Sequence, residues 1–135
     1  MRRILFVVIV LFAAAAAVAE ERSMPDFEMK QYFVGLIYRV PDAPKISEEE
    51  AAALQKGHLD NIFRLADEGR MVLAGPFGDD GDLRGLFFYN VETLEEAEAL
   101  VATDPAVKAG RLRVELHPWW GTAELATAFV GKKEE

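Results

Sequence analysis

The run "YFVGLIYRV" at residues 32–40 narrows the choice of folds furthest. Its aromatic and β-branched side chains make a strand, and a strand without polar alternation has to be covered on both faces. Near the other end, "RLRVELH" (111–117) alternates strictly. Leu112, Val114 and Leu116 fall on one side and Arg111, Arg113, Glu115 and His117 on the other, so this strand is half buried.

The stretch between them has to supply the cover. "PDAPKI" ends the first strand, and Ser47 with Glu50 three residues on is a capping box that opens a helix. At 100° per residue over 48–69, Ala51, Leu54, Ile62 and Leu65 share one face, and Leu59, Phe63 and Ala66 widen the apolar arc. Gly69 closes the helix as a C′ glycine. "RMVLAGPF" and "LRGLFFYNV" are two strands joined by the turn "GDDGD" at 78–82. Pro76 has no N–H to give a ladder, which puts it on an edge or at a bulge. Thr93 with Glu96 forms a second capping box, with Leu94, Ala97, Leu100 and Val101 on one face of a short helix that Asp104-Pro105 stops.

The order β-α-β-β-α-β defines an α+β, ferredoxin-like fold: an antiparallel sheet with both helices on one face. The apolar runs at 33–37 and 86–89 leave the other face in need of cover, which predicts a homodimer.

Residues 1–19, "MRRILFVVIVLFAAAAAVA", combine two arginines, an apolar run and small residues at the end, the pattern of a secretory signal peptide. The mature chain then begins near Glu20, with a polar linker over 20–31, the domain over 32–120 and a tail over 121–135. The apolar run of about sixteen residues is short of the roughly 20 that span a bilayer. The expected product is periplasmic or secreted, with no membrane contact after cleavage. The chain has no cysteine, so it has no lipid-attachment site, no disulfide and no thiolate chemistry. Its net charge of −8 becomes −10 once Arg2 and Arg3 leave with the leader. That excess of acid argues against nucleic acid and anionic membranes as partners.

Most familiar chemistries fail on the residues. The serines, Ser23 and Ser47, lie in the linker and at a helix cap, with no nucleophile elbow. "GPFGDDGDLRG" lacks the Lys-Ser/Thr of a phosphate loop. In a calcium-loop register from Asp80, Arg84 and Val91 occupy ligand positions, so the acidic turn reads as a solvated loop. His58 and His117 are too far apart in sequence for a zinc-helix motif. No metal and no cofactor are expected. His117 falls on the polar side of the last strand, as a surface residue does.

His58 stands apart because it falls inside the apolar arc of the first helix, between Leu54 and Ile62. Asp104 ends the second helix, and in this topology the two helices lie side by side. A carboxylate accepting from one imidazole nitrogen fixes the tautomer and raises the basicity of the other, as general acid–base catalysis requires. On the residues alone, a satisfied core histidine is the commoner role for such a position. Arg39, Arg84 and Arg113 are all candidates to hold a substrate carboxylate.

The marks His58, "AGPF" (Ala74 to Phe77), Gly85, Asp104-Pro105 and Trp119, in that order and spacing, resemble the YciI-like (YCII-related) family of the dimeric α/β-barrel superfamily, over about residues 31–120. The resemblance implies a dimer with a pocket in each subunit, a His58–Asp104 pair, and candidate substrate contacts at Gly75, Pro76, Arg84 and Trp119. It implies an unknown small-molecule ligand. Relatives isomerise or dehydrohalogenate muconolactone-like or chlorinated aromatic compounds, although most members have no assigned reaction. The leader and the long tail depart from the family's short, cytoplasmic form. Two functions follow as expectations: a cofactor-free lyase or isomerase using His58 and Asp104, or a noncatalytic periplasmic binding or dimeric interaction module.

Overall fold

The computed structural model describes residues 28–128; the leader and most of the linker, and the end of the tail, lie outside them. The elements are β1 (Met29–Arg39), α1 (Glu48–Asp67), β2 (Met71–Pro76), β3 (Leu83–Tyr89), α2 (Leu94–Val101), α3 (Pro105–Lys108), β4 (Leu112–Thr122) and α4 (Leu125–Ala128). The strands form one sheet in the order β2-β3-β1-β4 with every neighbouring pair antiparallel, the ferredoxin-like arrangement.

β1 is central, which is why its sequence lacks polar alternation. Phe33 and Ile37 join Phe87, Tyr89, Met71 and Leu65 in the core on the helix side. Tyr32 and Val34, on the other side, are buried as well. β1 starts at Met29, inside the stretch read as linker, because residues 29–31 pair with Trp120, Gly121 and Thr122. β4 likewise runs five residues past His117. It lies at a sheet edge, where Pro118 can sit with its nitrogen outward and cost no ladder bond. Pro76 ends the opposite edge strand, β2.

The helix ends follow their caps. Ser47 Oγ accepts from Glu50 N and Glu50 Oε2 accepts from Ser47 N, a complete capping box. The Ser47 backbone N–H, then its hydroxyl, hold the Glu50 carboxyl below the ordinary range. Gly69 takes φ 69°, and Arg70 N closes on Leu65 O at 2.9 Å, so the glycine ends α1 in the left-handed region. The second capping box is only half formed. Thr93 Oγ1 accepts from Glu96 N, but the Glu96 carboxylate accepts from Glu92 N instead of returning to Thr93. Asp104-Pro105 does more than stop a helix: it starts another, with Asp104 as N-cap and Pro105 in the first turn of α3.

The segment after β4 folds back. Ala123 N donates to Glu28 O at 2.8 Å, the Tyr32 hydroxyl donates to Thr122 O at 2.9 Å, and α4 lies against β2. The tail therefore crosses the sheet on the Tyr32 side and covers part of the face that has no long helix.

Candidate active site

α1 delivers His58 to the helix-side face of the sheet, beside the Phe87 ring at 5.9 Å between centroids. His58 Nδ1 stands 2.7 Å from Asp104 Oδ2. Asp104 is only 2% exposed, and its other oxygen, Oδ1, accepts from Ala106 N at 2.8 Å, the cap of α3. A carboxylate offers only acceptor sites, so Nδ1 carries the proton and donates it. The other ring nitrogen, Nε2, has no hydrogen-bond partner among the described residues.

His58 lines a cavity of about 500 Å³ between α1 and strands β2 and β3. That volume suits a small organic molecule. The walls are largely apolar: Ile37 and Phe87 from the sheet, and Leu59, Ile62 and Phe63 from α1. Phe63 is 64% exposed, at the rim. This explains why the apolar arc of α1 is wider than the core contact, since part of it faces the cavity. The polar lining groups are Gln55, His58 and Arg84.

The backbone also shapes this wall. A Cβ on Gly85 would lie 2.5 Å from the Gly75 carbonyl oxygen, so the bare backbone at 85 lets β2 and β3 close together beneath the cavity. Gly75 and Pro76 are lining residues, as is Arg84. Arg84 Nη1 donates to the Asp79 and Gly81 carbonyls at 3.2 Å each, which anchors the guanidinium to the β2–β3 turn. Among the described residues, no group of three or more acidic or histidine side chains is placed to hold a metal.

The tertiary structure thus chooses among the arginines. Arg39 is exposed at the end of β1, and Arg113 stacks on the Tyr38 ring at 4.0 Å on the opposite face. Trp119 is not brought to the cavity. It lies on the Tyr32 side, edge-on to Phe88 at 5.3 Å, because β4 alternation places 119 opposite to 116 and 114. His117 sits on that face too, 3.0 Å from Glu115 Oε1. Gln55 escaped the sequence reading; its signal is the spacing of three residues to His58 on one helix face.

Tyr89 lies behind the pair, buried and edge-on to Phe87 at 5.7 Å. Burial, and next the negative charge of Asp104, push its phenol well above the ordinary tyrosine range. The folded protein holds Tyr89 neutral while the unfolded chain ionises it near pH ~10, so this contribution is full below that pH and lost as the pH rises further. Unfolding free energies from urea titrations across the alkaline range should fall more steeply for the wild type than for Tyr89→Phe, by up to about 1.4 kcal/mol per pH unit. Parallel slopes would show that Tyr89 ionises alike in both states.

An antiparallel ferredoxin-like sheet, with a histidine–aspartate pair opening on a ligand-sized cavity under its first helix, defines a class of small α+β pocket proteins. The chain belongs to the YCII-related domain family, whose pattern matches residues 31–120. Among solved structures it is similar to 5-chloro-2-hydroxyhydroquinone dehydrochlorinase from Burkholderia phenoliruptrix in complex with 2,5-dihydroxybenzoquinone. The identity is 21% and the TM-score 0.49, over 65% of this chain and 92% of that one. No curated protein sequence matches the chain.

Proposed function

We propose that the protein is a small-molecule lyase or isomerase in which His58 moves the proton and Asp104 orients and charges it. The observation that carries this reading is the 2.7 Å Nδ1 to Oδ2 contact, with Nε2 left free beside the cavity. In that state Nε2 accepts a proton from a substrate carbon or hydroxyl, and the buried carboxylate balances the imidazolium that forms. An imidazole–carboxylate pair performs this step without a cofactor. In a lyase, a leaving group departs from the adjacent carbon as the C–H electron pair moves in. In an isomerase, Nε2–H returns the proton at a second carbon.

The apolar walls favour a compact and mostly apolar substrate. Arg84, which lines the cavity, is the group to hold an anionic substituent, and Gln55 offers a neutral hydrogen bond. The test is solvent-deuterium incorporation into a panel of small cyclic ketones, lactones and halogenated phenols. Incorporation that needs His58 supports the assignment. A ligand that binds the cavity, gains no deuterium, and binds His58→Ala equally well would make the protein a binding module instead.

The same proposal includes export and pairing. The pattern of residues 1–19 supports removal of a leader and a periplasmic or secreted mature chain. Leu73 and Trp119, respectively 38% and 41% exposed on the face without long helices, support cover by a second copy. A mature N-terminus near Glu20 and a two-chain mass in sedimentation are the expected results. An intact leader would overturn the first, and a one-chain mass the second.

A further inference from the structure

Three consecutive residues, Thr103, Asp104 and Pro105, are gripped by α1. A Cβ on Gly57 would lie 3.1 Å from Pro105 Cγ, so helix and proline ring are nearly in contact there. His58 holds Asp104. Further along α1, Arg64 Nη2 donates to Asn61 Oδ1 at 2.8 Å and reaches Thr103 Oγ1 at 3.3 Å. Asn61 Oδ1 is itself 3.0 Å from that hydroxyl. Thr103 has one hydroxyl proton, and Leu100 O at 2.6 Å is the nearer acceptor, so the hydroxyl also ties down the last turn of α2.

We propose that Asn61, Arg64 and Thr103 form a hook that sets the distance and angle of the His58–Asp104 hydrogen bond: Asn61 Oδ1 holds the Arg64 guanidinium, which donates to Thr103, so all three are positioning residues. The proposal rests on the reading of that pair as the reacting groups. Its physical basis is how little else ties the Thr103 side of Asp104 to α1. α1 packs on α3, and its contact with α2 is slight. Asp104 stands between α2 and α3: Gly57 against Pro105 fixes its α3 side, and without the hook its α2 side would meet α1 mainly through the His58 bond. A bond that aligns a catalytic base has to be kept within a fraction of an ångström, and that precision comes from neighbouring polar contacts. The hook spans α1 and the residue adjacent to Asp104, which places its constraint one peptide unit from the carboxylate.

The test uses the mature full chain and compares Thr103→Val, which keeps shape and loses the hydroxyl, with Thr103→Ser, which keeps the hydroxyl. Asn61→Ala is the second variant and carries the test if Thr103→Val does not fold. The readout is the solvent-exchange rate of the His58 Nδ1 proton by NMR, with the amide of Leu65 in the core as reference. Thr103→Val and Asn61→Ala should speed Nδ1–H exchange about fivefold relative to Leu65, the equivalent of one ordinary hydrogen bond. Thr103→Ser should exchange at the wild-type rate. Unchanged exchange in both disruptive variants overturns the proposal. So does acceleration of the Leu65 amide by the same factor, which marks general loosening, or a Thr103→Ser rate equal to that of Thr103→Val. The readout does not depend on turnover. Full activity in His58→Ala would sink the catalytic assignment and leave the hook in place.

Discussion

His58→Ala should lower kcat/KM by a factor on the order of 10²–10⁴ while the chain remains folded, because that is the range a positioned general acid or base contributes. The loss is expected in kcat, with KM little changed, since Nε2 acts on the proton in flight and the apolar walls hold the substrate. Removing the imidazole also leaves one Asp104 oxygen without its partner, at a cost of about 1–3 kcal/mol in stability. His58→Gln separates the two effects. Its amide N–H can still donate toward Asp104, so stability should recover, but the amide cannot take up a proton and activity should not. Steady-state kinetics and urea unfolding of both variants check this, and wild-type turnover in either would end the catalytic assignment.

Asp104→Ala should destabilise the chain by about 3 kcal/mol, more than His58→Ala does. The carboxylate serves two partners at once, as the N-cap of α3 through Ala106 N and as the acceptor from His58 Nδ1. A lost cap costs about 1 kcal/mol and a lost charge-assisted hydrogen bond about 1.5–3. Asp104→Asn is the informative comparison. Asparagine caps helices about as well as aspartate, so the cap's share of about 1 kcal/mol should remain while the charge-assisted bond to His58 is lost. Its amide has no charge to balance an imidazolium, so activity should fall nearly as far as in Asp104→Ala. Equal stability loss in both variants, measured by urea midpoint, would mean the charge matters to folding more than the cap does.

Much of the fold was legible because local rules and tertiary placement agree. Ser47 and Glu50 form the capping box that their spacing predicts, Gly69 adopts the left-handed conformation predicted for a C′ glycine, and Pro76 ends an edge strand. The misreadings share one cause. Residues 29–31 read as linker, the last strand reads as ending at His117, and residues 121–135 read as a tail. Each is structured by a partner far away in sequence: residues 29–31 and Trp120 to Thr122 pair with one another, and α4 rests on β2. No local pattern announces such pairings.

The site divides the same way. Hydrophobic period alone puts His58 on the inward face of α1, and Asp-Pro alone marks a helix boundary at 104–105. Their 2.7 Å contact needs α1 and α3 packed on one face of the sheet. The same packing decides that Arg84 lines the cavity and Arg113 does not, that Trp119 lies on the opposite face, and that Gln55 joins the lining. The order of elements, their caps and the sidedness of the amphipathic strands and helices follow from local pattern, because they depend on neighbours a few residues away. Which groups meet, and which arginine lines the cavity, depends on packing, because those contacts join residues dozens of positions apart and their distances follow from how the layers stack.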